Sequence, residues 1–383
     1  MRIIAVIITS WLLAVLPASA QEFDTTARAA WVYDMSTGTV LMEKNADEAL
    51  PPASMSKLMT LYMMFEALQQ GRLSLDERFA VSTRARKMAG STMFLDTTDR
   101  VSVEDLLRGV IVMSGNDACV VVAEGMAGTE EAFARQMTER GQRLGLTRSH
   151  FTNASGWPDP GHRMSARDLG VLAQHLIADF PEYYGDFAQR EFAYDNRAPS
   201  NRFNRNPLLA MGIGADGLKT GHTDAAGYCL VATARREFPN VGERRMLTVV
   251  LGASSDNVRT TESQKLLNWG YTAFDDVKLF DADEAVATPR VWKGNAKTLE
   301  LGSATPIVVA VPSGSADKVK TEVARPEPLI APFTEGETVA TLKVSLGDQQ
   351  LNEVPLVSLK TVSEAGIFRR AWDAAWLWVT GWF

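Results

Sequence analysis

The order of strand-like and helix-like segments constrains the fold of this chain more than any other feature. The segment "ARAAWVYDMSTGTVLMEKN" predicts a β-hairpin around Ser36-Thr37-Gly38. Helical patterns then run to about residue 180, and β-type runs return only after residue 215, in "GLKTG", "AGYCLVATARRE" and "RRMLTVVLGAS". Because an isolated hairpin is marginal in water, it needs these later strands as partners. The sequence therefore predicts one mixed sheet built from both ends of a domain, with an α-rich subregion between them.

Helix starts are marked in the middle of the chain. Ser102 and Ser165 begin capping boxes, and Thr129 opens a third helical pattern. Another pattern begins at Ser54, and after the last β-type run an amphipathic helix is predicted over about 258–274. The apolar residues that follow Ser54 at helical spacing are Leu58, Met59, Leu61, Tyr62 and Phe65.

A change of pattern predicts a domain boundary around residues 281–296, in "DADEAVATPRVWKGN". Beyond it, the β-prone runs "TPIVVAVPSG", "TVATLKVSLG" and "EVPLVSLKTV" alternate with Pro and Gly turns. We therefore predict a larger domain over residues 21–282, a small all-β domain over 283–364 and a terminal segment over 365–383.

The terminal segment "GIFRRAWDAAWLWVTGWF" predicts an amphipathic helix. It is too short and too polar to span a bilayer, but Trp-rich amphipathic helices lie in the membrane interface. Docking of the helix on its own β domain is the alternative; we expect the membrane surface. The predicted apolar face consists of Phe368, Ala371, Trp372, Ala375, Val379 and Trp382, and the opposite face of Arg369, Arg370, Asp373 and Thr380.

Residues 1–20 predict a secretory signal peptide. Arg2 gives a positive start, residues 3–16 are apolar, and Ala18-Ser19-Ala20 is a small-residue cleavage site. A membrane anchor needs about 20 apolar residues, and Pro17 ends the run too early. We therefore expect export and cleavage before Gln21.

Charge and composition bear on the possible partners. The net charge of −7 and the absence of any Lys/Arg-rich block argue against nucleic acid as a partner, because that surface requires a basic footprint. The four histidines form no H-E-x-x-H motif and no Cys/His cluster, so we expect no metal and no cofactor. Cys119 and Cys229 lie in separate apolar stretches, which favours two buried thiols and leaves a single disulfide open.

One pair of residues, Ser54 and Lys57 in "PPASMSKLMT", indicates nucleophilic chemistry. Positions i and i+3 at a helix start lie on one face, so the lysine can reach the serine hydroxyl. An uncharged lysine can accept the serine proton if burial and nearby positive charge lower its pKa from about 10.4. The pair alone is a weak signal, because Ser315 and Lys318 repeat it and because Ser54 can be a simple helix cap.

Two further short motifs strengthen the signal. Ser114-Gly115-Asn116 lies between two predicted helices, where a break presents short polar side chains to a cleft. Lys219-Thr220-Gly221 lies on a β-type run, where the missing side chain of the glycine lets a ligand approach the strand edge. Ser255-Asp256-Asn257 also fits Ser-x-Asn, but it follows the Lys-Thr-Gly motif along the chain.

The motifs "S-M-S-K", "S-G-N" and "K-T-G-H", in this order, match the serine penicillin-binding proteins and β-lactamases. More closely, the chain resembles the low-molecular-mass D-alanyl-D-alanine carboxypeptidases of bacteria, of peptidase family S11 type. "SGNDACV", "NRN" at 204–206, "DGLKTGHTDAAGY", "ESQKLLNWG", the β domain and the terminal helix carry the resemblance over nearly the whole chain. It implies a mixed α/β fold, with a β-lactamase/transpeptidase-like domain whose antiparallel sheet is flanked by helices, and a small C-terminal β domain.

The resemblance also implies roles for single residues. Ser54 is the implied nucleophile, Lys57 its general base, and Ser114 the relay that carries a proton toward the leaving amine. Lys219 is also expected to lower the pKa of Lys57. The implied substrate-binding residues are Asn116 for the substrate amide, Lys219, Thr220 and Arg259 for the terminal carboxylate, Gly221 at the strand edge, and His222, whose N–H joins that of Ser54 in the oxyanion hole.

The implied reaction is removal of the terminal D-Ala from a peptidoglycan stem pentapeptide through an acyl-enzyme on Ser54, which β-lactams also acylate. The implied location is the periplasm, at the outer leaflet of the bacterial inner membrane. Alternatives are D,D-endopeptidase or transpeptidase activity, a β-lactamase and a non-catalytic wall scaffold. A class A β-lactamase needs an E-x-x-L-N element between the second and third motifs, and the sequence has none.

Overall fold

The computed structural model describes residues 23–197, 199–239 and 241–380, so the predicted signal peptide and Trp382 lie outside the described residues. The strands are β1 (Ala29–Asp34), β2 (Thr39–Lys44), β3 (Arg78–Ala80), β4 (Arg100–Ser102), β5 (Ala215–Thr223), β6 (Gly227–Phe238), β7 (Gly242–Ala253), β8 (Phe274–Phe280), β9 (Val291–Trp292), β10 (Leu301–Gly302), β11 (Ile307–Pro312), β12 (Val319–Ala324), β13 (Leu329–Ile330), β14 (Thr338–Leu346) and β15 (Gln349–Ser358). The helices are α1 (Lys57–Gln69), α2 (Thr83–Arg86), α3 (Val103–Arg108), α4 (Asn116–Ala127), α5 (Glu130–Arg143), α6 (Ala166–Asp179), α7 (Pro181–Tyr184), α8 (Asp256–Thr272) and α9 (Ile367–Thr380).

A five-stranded antiparallel sheet has the order β2-β1-β7-β6-β5. The early hairpin therefore pairs with strands from the far end of the domain, as the sequence predicts, with β1 hydrogen-bonded to β7. The last strand in the order, β5, carries the Lys-Thr-Gly motif and forms one edge of the sheet.

Helices cover both faces of this sheet. Ala29 and Trp31 of β1 belong to the core that includes α6, whereas Ala30 and Val32 belong to a second cluster that includes α8. This division follows from the alternation of side chains along a strand. The helix α8 starts two residues before the predicted start, because Ser255 caps it by accepting the Val258 N–H.

The α-rich subregion lies between β2 and β5. Ser102, Thr129 and Ser165 cap α3, α5 and α6 through their side-chain oxygens, which confirms the predicted starts. A 3₁₀ turn over Ala53–Ser56 leads into α1. All five apolar residues predicted for α1 are buried. Because α1 is apolar on almost every side, it occupies the middle of the core.

The C-terminal part is a second all-β core, with a four-stranded sheet of order β10-β15-β14-β12. The strand β8, just before the predicted boundary, pairs with β11, and Val277 and Leu279 of β8 pack against this second core. Hydrogen bonding therefore continues across residue 283, and the boundary itself stays a prediction.

The terminal helix α9 contacts the β domain through a polar stripe. Arg369 donates to the carbonyls of Asn295 and Ala296, and Asp373 accepts the Lys293 N–H at 2.7 Å. Asp373 is only 7% exposed, whereas Phe368, at 90%, faces outward. The helix thus docks on its own β domain, which is the alternative that the sequence left open, yet its apolar face stays exposed. Among the described residues, no helix has the length and apolarity needed to cross a membrane.

A buried ion cluster joins the main sheet to β8. Arg244 Nη2 lies 2.8 Å from Asp34 Oδ2 and 2.7 Å from Asp276 Oδ1, and all three side chains are at most 2% exposed. Arg244 Nη1 also donates to the Phe274 carbonyl. Burial, and then the negative charge of Asp34, raise the pKa of Asp276 to about 7. Two buried carboxylates share one guanidinium here, so one of them holds a proton more easily than usual.

Substitution Asp276→Asn is expected to flatten the dependence of thermal stability on pH. A carboxyl group whose pKa is raised on folding binds a proton in the folded chain that the unfolded chain has released. The stability that this bound proton contributes is therefore present at about pH 4 and is lost as the pH rises through about 7. The variant should melt on the order of 5 °C above the unsubstituted protein at pH 8, and the gap should narrow toward pH 5.

Melting curves by circular dichroism at pH 5, 6, 7 and 8 measure this difference. Asp317→Asn, at an exposed carboxylate, is the matched control and should leave the slope unchanged. Equal slopes for Asp276→Asn and the unsubstituted protein would contradict the raised pKa.

Candidate active site

Ser54 and Lys57 meet at the start of α1. Ser54 lies in the 3₁₀ turn, and Lys57 is the first residue of the helix. The Lys57 Nζ atom lies 2.9 Å from Ser54 Oγ. Ala53, immediately before the serine, has a φ of 49°, in the left-handed region that a non-glycine residue adopts only at a cost. The structure thus brings the predicted pair together on a strained turn.

The Lys57 side chain is fully buried and has three hydrogen-bond partners. Besides Ser54 Oγ, these are Asn116 Oδ1 at 2.7 Å and the Ser155 carbonyl at 2.7 Å. A charged ammonium donates to all three. A neutral amine donates to Asn116 and Ser155 and keeps its lone pair for the hydroxyl proton of Ser54. The geometry therefore suits the amine in both protonation states.

Burial is the largest cause that lowers the pKa of Lys57, which falls to about 8. The positive charge of Arg205 also lowers it, while Cys119 and Asp117 act in the opposite direction. The predicted repulsion between the two lysines is present, but its main effect is on Lys219. There it is the second cause, after burial, that lowers the pKa. The environment predicted for a neutral lysine therefore exists, with burial rather than Lys219 as its main source.

Ser114 forms the second wall of the site. A π-helical segment, Gly109–Met113, follows α3, and Ser114 ends it with a φ of 57° and a ψ of 38°. Its Oγ atom is buried without a hydrogen-bond partner among the described residues. A buried hydroxyl without a partner is unusual in folded proteins. Here it faces the cavity beside Ser54.

Asn116 and Asp117 hold the adjoining loop against the site. The Asn116 side chain donates to the Ala89 carbonyl at 2.8 Å while its Oδ1 accepts from Lys57. Asp117 accepts the N–H groups of Met93 and Leu95. The predicted amide-binding group of Asn116 is therefore already engaged with the loop, and its observed contacts position Lys57.

The strand β5 forms the third wall, and Gly221 is the point of closest approach. A Cβ atom on this glycine would lie 3.1 Å from Ser54 N and 3.2 Å from Ala53 Cβ. Contacts of this length are tighter than ordinary van der Waals packing. The missing side chain thus brings the strand edge against the serine turn. Lys219 and Thr220 are buried beside it.

A cavity of about 490 Å³ opens between these walls. Its lining includes Ser54, Ser114 and Thr220 together with two arginines, Arg205 and Arg259. Burial lowers the pKa of both guanidinium groups. The charge of Arg259 lowers the pKa of Arg205 further, whereas Asp256, which pairs with Arg259, acts in the opposite direction on Arg259. The Nε atom of Arg259 is buried without a partner among the described residues.

His222 lies at the outer end of the cavity. Its ring stacks on Tyr228 with 3.9 Å between ring centroids. The ring is exposed, and its backbone follows Gly221 directly. All nine predicted site residues thus lie around one cavity or on the elements that form it, while their roles in a reaction stay predictions.

Sequence reasoning left three contributions unassigned. Arg205 contacts Ser91 and donates to Asn201 Oδ1 at 2.6 Å; its only sequence signal is the short "NRN" motif. The Ser155 carbonyl is a backbone group and leaves no signal in residue type. Buried His162 lies with Nε2 2.7 Å from the hydroxyl of Ser56 and supports the serine turn from beneath.

The remaining expectations concern the cysteines and the second Ser-x-Asn motif. Cys119 and Cys229 are both buried free thiols, so the open possibility of a disulfide is wrong for this structure. Burial raises the pKa of Cys119 to about 12 and that of Cys229 to about 11. Ser255 is the cap of α8, although its neighbour Asp256 reaches the cavity.

Comparisons with known proteins fit this arrangement. A family model described as D-alanyl-D-alanine carboxypeptidase matches residues 16–255, and one for the C-terminal domain of penicillin-binding protein 5 matches residues 274–364. The chain is 38% identical over 370 residues to the D-alanyl-D-alanine carboxypeptidase DacC of Escherichia coli K12, covering 93% of this chain and 90% of that protein.

Two solved structures illustrate the similarity in fold. Penicillin-binding protein 5 from Haemophilus influenzae superposes with a TM-score of 0.81 at 34% identity, covering 89% of this chain and 98% of that one. Penicillin-binding protein D2 from Listeria monocytogenes in its ampicillin-bound form has a TM-score of 0.57 at 33% identity, covering 64% of this chain and 98% of that one.

Proposed function

The chain belongs to the D-alanyl-D-alanine carboxypeptidase family, and from that premise we propose that it removes the terminal D-Ala from peptidoglycan stem pentapeptides through an acyl-enzyme on Ser54. One observation carries the assignment of roles: the Lys57 amine lies 2.9 Å from the Ser54 hydroxyl while burial lowers its pKa to about 8. A base with a pKa near the working pH is the most effective proton acceptor.

Acylation begins with neutral Lys57. Its lone pair takes the Ser54 hydroxyl proton as Oγ bonds to the carbonyl carbon of the penultimate D-Ala. The two remaining N–H bonds of the amine keep their acceptors on Asn116 and Ser155, so the nitrogen stays in place while its charge changes. The three-acceptor arrangement then matches the ammonium that forms.

The oxyanion of the tetrahedral intermediate requires two donors. The Ser54 N–H belongs to the first turn of a helical segment, where backbone N–H groups have no partner within the helix. The close approach of Gly221 to Ser54 N brings the next residue of β5, His222, to the same place. We assign the second donor to the His222 N–H, on this proximity and on the family resemblance.

Ser114 is the proposed relay for the leaving group. When the C–N bond breaks, the amine of D-Ala needs a proton, and the Lys57 ammonium holds one. The buried Ser114 hydroxyl has no partner, so it can accept a hydrogen bond on one side and donate on the other. Water then attacks the ester carbon, Ser54 regains its proton, and the shortened peptide leaves.

A free terminal carboxylate fits the positive groups of the cavity. The unpaired Nε of Arg259 can donate to it. Burial and repulsion from Lys57 and Arg205 disfavour the charge of Lys219, and its pKa is lowered. A bound carboxylate offsets that repulsion, so substrate binding and protonation of Lys219 support each other. This coupling favours a carboxypeptidase over an enzyme that cleaves inside a chain.

Export and attachment to the outer leaflet of the inner membrane are part of the same proposal. The signal-peptide pattern of residues 1–20 supports export. The outward-facing Phe368, Trp372 and Trp378 of α9, at 90%, 72% and 68% exposure, support attachment, because soluble surfaces rarely leave so many large apolar side chains uncovered.

The proposed nucleophile and base can be tested in one assay. A fluorescent penicillin is expected to label the protein covalently, Ser54→Ala is expected to abolish the label, and D-Ala release from a D-Ala-D-Ala peptide should be lost with it. The rate constant for labelling should rise with pH and level off above about 8, because only neutral Lys57 accepts the proton. Stopped-flow fluorescence from pH 6 to 10 measures this rise of the labelling rate with pH.

Other outcomes would favour the alternatives. Absence of label would favour a scaffold, and rapid loss of label would favour a β-lactamase. Release of peptide rather than D-Ala from cross-linked wall fragments, at a higher rate, would favour an endopeptidase. A flat pH profile that still depends on Ser54 would remove Lys57 from the role of base.

Substitution Gly221→Ala is expected to slow acylation by about 10² to 10³, the range seen when an oxyanion-hole donor is lost. The added methyl group would press on Ser54 N and Ala53, so β5 must move away from the nucleophile. The pH at which the labelling rate levels off should not change, because Lys57 is not touched. Labelling rates and a melting curve for the same variant separate catalysis from folding.

Gly185→Ala is the matched control, because nothing lies within 4 Å of its added methyl group. It should leave the labelling rate unchanged. If Gly221→Ala acylates at the normal rate, the strand is not the partner of Ser54 in the oxyanion hole.

Deletion of residues 366–383 is expected to move the exported protein from the membrane fraction to the soluble periplasm without loss of penicillin labelling. Arg369 and Asp373 of the helix hydrogen-bond to the β domain, so we expect the active site to remain intact. Fractionation with immunoblotting measures the shift. Retention in the membrane after the deletion would refute attachment through α9.

A further inference from the structure

The groove beneath the C-terminal half of α9 holds positive charge that the proposed reaction does not use. Its volume is about 490 Å³, and its lining includes Arg290, Trp292, Arg325, Glu327, Leu329 and Leu377. We propose that this groove binds the phosphate headgroup of an anionic phospholipid, and the proposal rests on the membrane attachment proposed above.

The docking of α9 sets the distance between the groove and the membrane-facing side of the helix. Arg369, Asp373 and Leu377 recur every four residues and face the β domain, from the carbonyls of 295 and 296 to the groove. At 100° per residue, Ala371, Ala375 and Trp378 lie on the opposite side of the helix. The membrane-facing side and the groove are thus separated by one helix diameter, about 10–12 Å.

That distance matches the headgroup layer. An interfacial helix buries its apolar face about 5–10 Å into the boundary between headgroups and acyl chains. Groups directly beneath the helix, on its protein side, therefore lie at the level of lipid phosphates. Leu377 lines the groove together with the two arginines, so their charges lie near that level.

The two arginines differ in their availability. Arg325 pairs with the exposed carboxylate of Glu327 at 2.7 Å. Arg290 has no ion pair among the described residues, and its guanidinium lies 3.7 Å from the ring centroid of Trp292. Stacking holds the planar guanidinium while leaving its edge N–H groups for an anion, and a guanidinium binds phosphate with two parallel hydrogen bonds. Arg290 is therefore the principal ligand.

The two arginines also offset the repulsion between the protein and an anionic membrane. The chain carries a net charge of −7, which disfavours approach to a negatively charged leaflet. A local pair of arginines at phosphate level offsets that repulsion where the helix inserts. A phosphate between them also replaces the interaction that Glu327 gives Arg325.

Binding of the full chain to vesicles of phosphatidylcholine alone, and of phosphatidylcholine with one quarter phosphatidylglycerol, tests the proposal. The apolar face of α9 should give binding to both, and the anionic lipid should strengthen it. Arg290→Ala should reduce this gain in affinity roughly fivefold, which is the usual contribution of one arginine near an anionic surface. Its binding to phosphatidylcholine alone should not change. Glu327→Gln should increase the gain.

Lys320→Ala is the matched control. It removes one exposed positive charge from β12, five residues before Arg325, at roughly 16 Å along an extended strand and beyond the screening length of about 8 Å. It should bind like the unsubstituted protein. Arg290→Lys, which keeps the charge but not the planar fork, should recover only part of the loss.

Four results would overturn the proposal. One is a full gain from phosphatidylglycerol in Arg290→Ala. Another is displacement by millimolar inorganic phosphate beyond that caused by sodium chloride of equal ionic strength, which would assign the groove to free phosphate. The third is normal binding to phosphatidylcholine with no gain from the anionic lipid, which refutes only the headgroup site. The fourth is failure to bind either vesicle, which refutes membrane attachment itself.

Discussion

Burial of the Lys57 amine is the constraint on which the rest of the site depends. Taking an ammonium out of water costs several kcal/mol unless its donors are satisfied. Three acceptors satisfy it here, and they come from three parts of the chain: the turn at Ser54, the start of α4 at Asn116, and the loop at Ser155. Each segment must therefore lie within hydrogen-bond distance of one nitrogen, so the requirements of the amine fix the geometry of the cleft.

The sheet supplies what the helices cannot. Its early hairpin and late strands bring the N-terminal and C-terminal ends of the domain together, and the strand that ends the order, β5, has a free edge beside the nucleophile. A free edge is a liability in a soluble protein. At this position, however, it presents backbone groups and the Thr220 side chain to the cavity. The glycine at the contact point lets the edge approach without displacing Ser54.

Much of this arrangement could be predicted from local sequence, because its causes are local. Helix caps at Ser102 and Ser165, the alternation in β1 and the spacing of Ser54 and Lys57 depend on neighbours within a few residues. The contributions of Ser155, Arg205 and Asp276 could not be predicted in the same way. The first is a backbone carbonyl without a residue signature, and the other two act through partners far away along the chain, such as Ser91 for Arg205 and Asp34 for Asp276.

The terminal helix shows how magnitudes decide between two readings that the sequence left open. Its stripe makes three hydrogen bonds to the β domain, worth about 0.5–1.5 kcal/mol each. Its outward face holds Phe368, Trp372 and Trp378, and full burial of one large apolar side chain is worth about 1.5–3 kcal/mol. The apolar face therefore has more to gain from a lipid interface than the stripe gains from the protein. Because the two faces are opposite, the helix can satisfy both at once, so docking on the domain and insertion at a membrane surface are compatible. A helix held in this way transmits the orientation of the membrane to the β domain, which a flexible tether cannot do.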